Sequence, residues 1–330
     1  MKSIIRTIYN DLLHIDTGNV ATYIPELANV NPNLFGISVC DIHGNLYNIG
    51  DHNRHFGLQS CSKPLSYCIA HDEYGKNVLH KYVGYEPSGQ TFNAFVLNKD
   101  GLPHNPMINA GAIMIATQLG RRQEPADRFN LLKSVYSQFA GDTPVGFDNS
   151  VFLSEKYHAD RNISLAYYMR ENSRLNKFIS PHDITEGLDL YYQQCSTTIT
   201  CEMGAIISAT LANKGICPTT NRQVVSANAV KDCLTLLYGC GLYEYSGQFA
   251  FEVGLPAKSG VSGCILLVIP NVMGICVWSP PLDDNGNSSK GIEFCKRLNE
   301  ELDLHIFNHI VKRNIYSFKQ TDQDRPDDQT

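Results

Sequence analysis

Residues 254–280 read GLPAKSGVSGCILLVIPNVMGICVWSP. Two runs rich in apolar and β-branched residues, CILLVIP and GICVWSP, flank Asn271, a residue suited to a tight turn. The pattern predicts a β-hairpin. Working outward, FGISVCD (35–41) and NLYNIGD (45–51) meet through His43-Gly44 and predict a second hairpin. The stretch from about Lys63 to about Leu237 has helical spacing and few strand signals. PADRFNLLKSVYSQFAG stops at Gly141 and TCEMGAIISATLANKG at Gly215, glycines placed as helix stops. An N-terminal amphipathic helix carries Ile4, Ile5, Ile8, Leu12 and Leu13 on one face. Near the other end, KGIEFCKRLNEEL aligns Ile292, Cys295, Leu298 and Leu302. These elements predict an α+β fold with one antiparallel sheet that the chain leaves and re-enters, terminal helices flanking it and a helical lobe inserted. The expected division is a sheet lobe (1–57 and 238–315), a helical lobe (58–237) and a polar, disordered tail (316–330), with an active-site cleft between the lobes.

Composition narrows the function. With 330 residues, 43% hydrophobic and 18% charged, the chain is long enough for a large core and is ordinary for a globular protein. A net charge of −6 argues against a nucleic-acid-binding face. No apolar run is long enough to span a bilayer, and the first residues lack the continuous apolar stretch of an export signal. Eleven cysteines, an odd number with no CxxC pair, read as buried reduced thiols in a cytoplasmic setting. No His/Cys cluster has zinc-type spacing, so neither a metal nor a cofactor is expected.

Two motifs carry chemistry. Ser60-Cys61-Ser62-Lys63 is the only Ser-x-x-Lys. If a helix starts there, hydroxyl and amine share a face one turn apart, and a neutral lysine can take the serine proton. About one such tetrapeptide is expected by chance in a chain this long, so alone it reads as a surface helix turn. Lys258-Ser259-Gly260, just before CILLVIP, changes the weighing. Serine acyl-transfer enzymes of the penicillin-binding type pair Ser-x-x-Lys with a later Lys-Thr/Ser-Gly near a sheet strand. The glycine lets substrate approach, and a nearby backbone N–H completes an oxyanion hole. Read singly, the other polar candidates have ordinary explanations. Asn109, opening HNPMINAGAIMIAT, reads as a helix N-cap. Glu155 and Asn162 read as a solvated face, and Tyr191 and Tyr243 as core tyrosines.

Longer stretches go beyond spacing. YIPELA, LQSCSKPLSYCIA, GYEPSGQTFN, PHNPMINAGAI, DRN, CSTTITCE, LANKGICP, CGLYEYSGQFAF, GLPAKSGVSGCILLVIPNVMG and WSPPLD, between about Tyr23 and Cys295, resemble the glutaminase family, above all the catalytic domain of the animal kidney- and liver-type enzymes. The resemblance implies a β-lactamase-like fold and hydrolysis of L-glutamine to L-glutamate and ammonia. It implies Ser60 as nucleophile, Lys63 as its base, Tyr243 beside that pair, and Tyr191 as a substrate contact and proton relay. Backbone N–H groups of Ser60 and Val261 would form the oxyanion hole. Tyr23, Asn109, Glu155 and Asn162 match substrate-binding positions, with Glu155 suited to the α-ammonium and the Asn and Tyr donors to the α-carboxylate. It also implies a homodimer or homotetramer. The N-terminal extension and ankyrin repeats of the animal enzymes are expected to be missing. TFNAFVLNKDG matches their activity-gating loop, but Phe95 and Val96 differ in size from the usual residues. A β-lactamase and a silent glutamine sensor are the competing readings. Hydrolysis of a chromogenic β-lactam would reveal the first, and ammonia release would exclude the second.

Overall fold

Strands whose residues are all apolar need cover on both faces, and the architecture supplies it. The structure, a computed structural model, describes residues 1–91, 93–172 and 179–308. The tail, the last residues assigned to the sheet lobe and Phe92 of TFNAFVLNKDG lie outside the described residues. The strands are β1 (Gly36–Asp41), β2 (Leu46–Gly50), β3 (Phe56–Gly57), β4 (Gly146–Phe147), β5 (Thr197–Ile199), β6 (Ala257–Gly260), β7 (Cys264–Ile269) and β8 (Met273–Trp278). The helices are α1 (Lys2–Leu12), α2 (Pro25–Ala28), α3 (Lys63–Tyr74), α4 (Lys76–Leu79), α5 (Asn109–Gln118), α6 (Pro125–Phe139), α7 (Asn149–Tyr157), α8 (Asp160–Asn172), α9 (Pro181–Cys195), α10 (Cys201–Ala212), α11 (Ala227–Cys240), α12 (Ser246–Glu252) and α13 (Ser289–Leu302).

Both predicted hairpins form, β1–β2 and β7–β8, and they join in one antiparallel sheet of order β2-β1-β8-β7-β6. Val39 faces Ile275 across β1–β8, and Leu266 faces Cys276 across β7–β8. All six residues of β7 and of β8 are buried. Ile265, Leu267, Ile269, Ile275 and Val277 pack with α1 and α13, whose Ile5, Ile8, Leu12, Phe294 and Leu298 fill that side. Cys264, Leu266, Val268 and Cys276 point the other way, onto α10. Alternation along each strand thus feeds two cores, which is why the sequence shows continuous apolar runs. Leu13, placed by periodicity on the buried face of α1, lies past the helix end and is exposed.

Two features go beyond expectation. Lys258-Ser259-Gly260 lies just before CILLVIP, as expected, and is itself part of β6, the edge strand, with Ser259 opposite Ile265. The middle of the chain also builds a second small sheet, β3-β5-β4. Its strands are two or three residues long, too short for any periodicity to register.

Candidate active site

The small sheet delivers the nucleophile candidate. After β3, Leu58 N–H donates to Thr197 O at 2.7 Å, so the chain enters the next turn still tied to β5. Residues Gln59–Ser62 then form one 3₁₀ turn that runs directly into α3 at Lys63. Ser60 and Lys63 therefore lie on one continuous helical turn, as expected, with Ser60 in the tighter segment. Ser62 Oγ bonds Gln59 O at 2.7 Å, and Ser66 Oγ bonds Gln194 Oε1 at 2.7 Å, pinning the turn to α9. Gln59 holds a left-handed φ of 48°.

The edge strand closes from the other side. Cys61 Sγ contacts Lys258 O at 3.3 Å. A Cβ on Gly260 would stand 3.0 Å from Leu58 O and 3.3 Å from Cys61 Sγ. The glycine of Lys-Ser-Gly thus first makes room for the turn that carries Ser60. Val261 packs against Ile24, Leu27 and Val151.

Lys63 is 1% exposed. Its Nζ donates to Asn109 Oδ1 at 2.8 Å, and Tyr191 O–H donates to the same oxygen at 3.0 Å. Burial first, then the charge of Lys258, pushes the Lys63 ammonium down to about 7, where an amine can act as a base at neutral pH. Asn109 opens α5, but its side chain caps nothing. Beyond Lys63 and Tyr191 it reaches Asn162 Oδ1 through Nδ2 at 3.2 Å. The N-cap reading is therefore wrong: the carboxamide is a junction between three site candidates. Tyr243 also has a left-handed φ, 54°, and its phenol bonds both Ser60 and Ser259 O, the latter at 3.4 Å. Burial raises its pKa.

The other wall comes from α7 and the segment before α2. Asp148 follows β4 and caps α7 by accepting from Ser150 and Val151 N–H. Two turns on, Glu155 is buried, so the solvated-face reading fails. Tyr23 O–H donates to Glu155 Oε1 at 2.6 Å, with Gln59 Oε1 3.2 Å away. Burial raises the Glu155 pKa, and the Tyr23 and Gln59 hydrogen bonds oppose it. Asn162 belongs to a separate helix, α8, and meets the site through Asn109. Behind Gln59 and Val261 lies a cavity of about 410 Å³ that also touches Glu26, His55 and Ser262. Among the described residues, no group of three His, Cys, Asp or Glu side chains is placed to hold a metal, and no helix is long and apolar enough to cross a membrane.

The predicted side chains thus gather in two linked clusters, Ser60–Lys63–Asn109–Asn162–Tyr191–Tyr243 and Tyr23–Glu155, while Val261 packs with Ile24, Leu27 and Val151. Sequence reasoning missed Gln59, which touches the second cluster, and gave Lys258 no role. The only signal for Gln59 was its place beside Ser60; its left-handed backbone is set by the fold. All eleven cysteines are free and buried.

Known proteins resemble the chain along most of its length. The profile of the glutaminase family matches residues 18–307. The liver-isoform mitochondrial glutaminase of Rattus norvegicus is 46% identical over 92% of this chain, and a glutaminase of Nostoc is 42% identical over 93%. The chain spans about half the length of the animal relatives it matches, 50% in the rat enzyme, and 90% of the Nostoc protein. Among solved structures, one titled "Probable glutaminase ybaS" superposes with a TM-score of 0.87 at 32% identity, covering 93% of this chain and 97% of that one. A second, Mglu in its tris and glutamate form, superposes with a TM-score of 0.85 at 33% identity, covering 92% and 67%. The sheet with its flanking helices is the β-lactamase-like fold of these enzymes, and the chain belongs to the glutaminase family.

Proposed function

We propose that the chain hydrolyses L-glutamine to L-glutamate and ammonia through a Ser60 acyl-enzyme. The observation that carries this reading is Lys63: fully buried, one turn from Ser60, and held near neutrality by its surroundings. Ser60 Oγ attacks the δ-carboxamide carbon and its proton passes to Lys63 Nζ. The tetrahedral oxyanion is received by the Ser60 and Val261 N–H groups. The C–N bond then breaks, and the leaving nitrogen takes a proton back from Lys63, directly or through the Tyr243 phenol, and departs as ammonia. Water attacks the γ-glutamyl ester by the reverse relay, returns the proton to Ser60 Oγ and frees glutamate. Glu155 receives the α-ammonium. Tyr23, Asn109, Asn162 and Tyr191 orient the amino-acid end, in a cleft between the sheet lobe (1–57, 238–315) and the helical lobe (58–237).

The test is release of glutamate and ammonia from L-glutamine, with L-asparagine and Ser60→Ala as controls. Glutamine-selective turnover that disappears in the variant supports the scheme. Near-normal turnover in Ser60→Ala would sink it. A pocket separates substrates differing by one methylene by only about 1–3 kcal/mol, so weak asparagine turnover is compatible with it. The reading extends to a homodimer or homotetramer, supported by exposed apolar side chains such as Phe95, Ile163 and Tyr167 and checked by light scattering. It also extends to a cytoplasmic setting, supported by the eleven free thiols and checked by localising the tagged protein.

A further inference from the structure

The turn that carries Ser60 and Lys63 is held at both ends by one short segment of the chain. Before the turn, Leu58 N–H donates to Thr197 O at 2.7 Å. After it, Ser66 Oγ donates to Gln194 Oε1 at 2.7 Å. Ser66 lies one turn beyond Lys63 on α3, and Gln194 one turn beyond Tyr191 on α9. The two helices therefore meet at two levels. At the first, Lys63 Nζ and the Tyr191 phenol share Asn109 Oδ1, with Nζ 5.9 Å from the centre of the Tyr191 ring. At the second, Ser66 bonds Gln194. A third helix completes the arrangement: the Tyr136 phenol of α6 lies 2.6 Å from Ser66 Oγ and 3.2 Å from Ser62 O. Ser66 has a single hydroxyl proton, and Gln194 Oε1 takes it, so Tyr136 is the donor to Ser66 Oγ. Ser66 is 3% exposed, and Tyr136 and Gln194 are fully buried.

We propose that Ser66 is a positioning residue for the serine–lysine chemistry, the hub of a Tyr136–Ser66–Gln194 network that fixes the register of α3 against α9 and so the placing of Lys63 against Ser60 and Tyr191. The inference rests on the reading of Ser60 and Lys63 as nucleophile and base. Apolar side chains of similar size would fill this space without burying polar atoms. The network also carries a cost of its own: among the described residues Gln194 Nε2 has no hydrogen-bond partner. What the polar side chains add is direction. Apolar helix faces slide over one another by fractions of an ångström with little loss, because each contact is weak and unoriented. A hydrogen bond resists the same shift, since it weakens as its distance and angle depart from the optimum. Proton transfer between Ser60 and Lys63 needs that precision. Lys63 cannot set the register itself, because its Nζ must change partners with each proton it takes and returns.

The test measures steady-state kinetics on L-glutamine and thermal melting for Ser66→Ala, Gln194→Met, the two combined, and Tyr136→Phe. Thr210→Val is the control, since it removes a fully buried hydroxyl outside the network, one bonded to Phe139 O and Ile206 O. The kcat should fall roughly tenfold to a hundredfold in Ser66→Ala and in Gln194→Met, and about three- to tenfold in Tyr136→Phe, with KM within about threefold of wild type throughout. The double variant should fall no further than the worse single one, as residues that act as a unit do. Thr210→Val should melt earlier and keep its kcat. If Ser66→Ala does not fold, Gln194→Met and Tyr136→Phe carry the same reading. Folded variants that melt earlier yet keep kcat within about threefold, a loss carried by KM, losses that multiply in the double variant, or failure of all three single variants to fold would make the network structural only and overturn the proposal. An inactive wild type would instead overturn the glutaminase reading, so the two failures are distinct.

Discussion

Ser60, Lys63 and Lys258 sit at a sealed end of the site, whereas Tyr23 and Glu155 form an end whose outer wall is half open. The first end is main chain against main chain: a 3₁₀ turn tied to one small sheet, pressed against the edge strand of another. The second is side chain against side chain. Tyr23 is 47% exposed while its hydroxyl reaches inward to Glu155. Main-chain packing leaves little freedom to relax, so the sealed end suits the step whose geometry must not drift. The open end suits a group that admits, holds and releases an amino acid. Damage to the first should appear in kcat, and damage to the second in KM.

Four substitutions can break or sharpen that contrast. Lys63→Met, read by steady-state kinetics, should lower kcat by roughly a thousandfold. In wild type, kcat/KM should fall as pH drops through about 7, because the base must be unprotonated. An acid limb set near pH 4 would assign the base elsewhere. Glu155→Gln should raise KM by roughly ten- to a hundredfold, the weight of one charge-assisted hydrogen bond, with a smaller effect on kcat. A pure kcat loss would erase the distinction between the ends. Gly260→Ala places a Cβ 3.0 Å from Leu58 O and should lower kcat about tenfold while KM holds. An unchanged kcat would mean that the nucleophile turn can shift freely. Tyr23→Phe loses one hydrogen bond at a half-open wall and should raise KM by only about two- to tenfold. A larger kcat effect would place Tyr23 among the reacting groups.

Elements long enough to show a period were legible in the sequence: both hairpins, α1, α6, α10 and α13. The second sheet was not, because two-residue strands such as Phe56–Gly57 and Gly146–Phe147 have no period to read. At the site, the order Ser-x-x-Lys then Lys-Ser-Gly was visible. The surroundings that give each residue its chemistry were not. Asn109 looked like an N-cap because helix starts favour asparagine. Its partners Lys63 and Asn162 lie 46 and 53 residues away in the chain. Glu155 looked like a solvated face because α7 has no strong apolar stripe. Its partners Tyr23, 132 residues earlier, and Gln59 show that it is bonded.

The sequence by itself determined the sheet's inner strands, the family resemblance and the residue types available for acyl transfer. These depend on local pattern and on long matching stretches. Tertiary structure alone decided that Lys63 is buried with its ammonium pushed down to about 7, that Gly260 admits the turn carrying Ser60, and that Lys258 lies beneath Tyr243. Desolvation, close main-chain approach and the field of a buried charge arise only when segments about two hundred residues apart exclude water together.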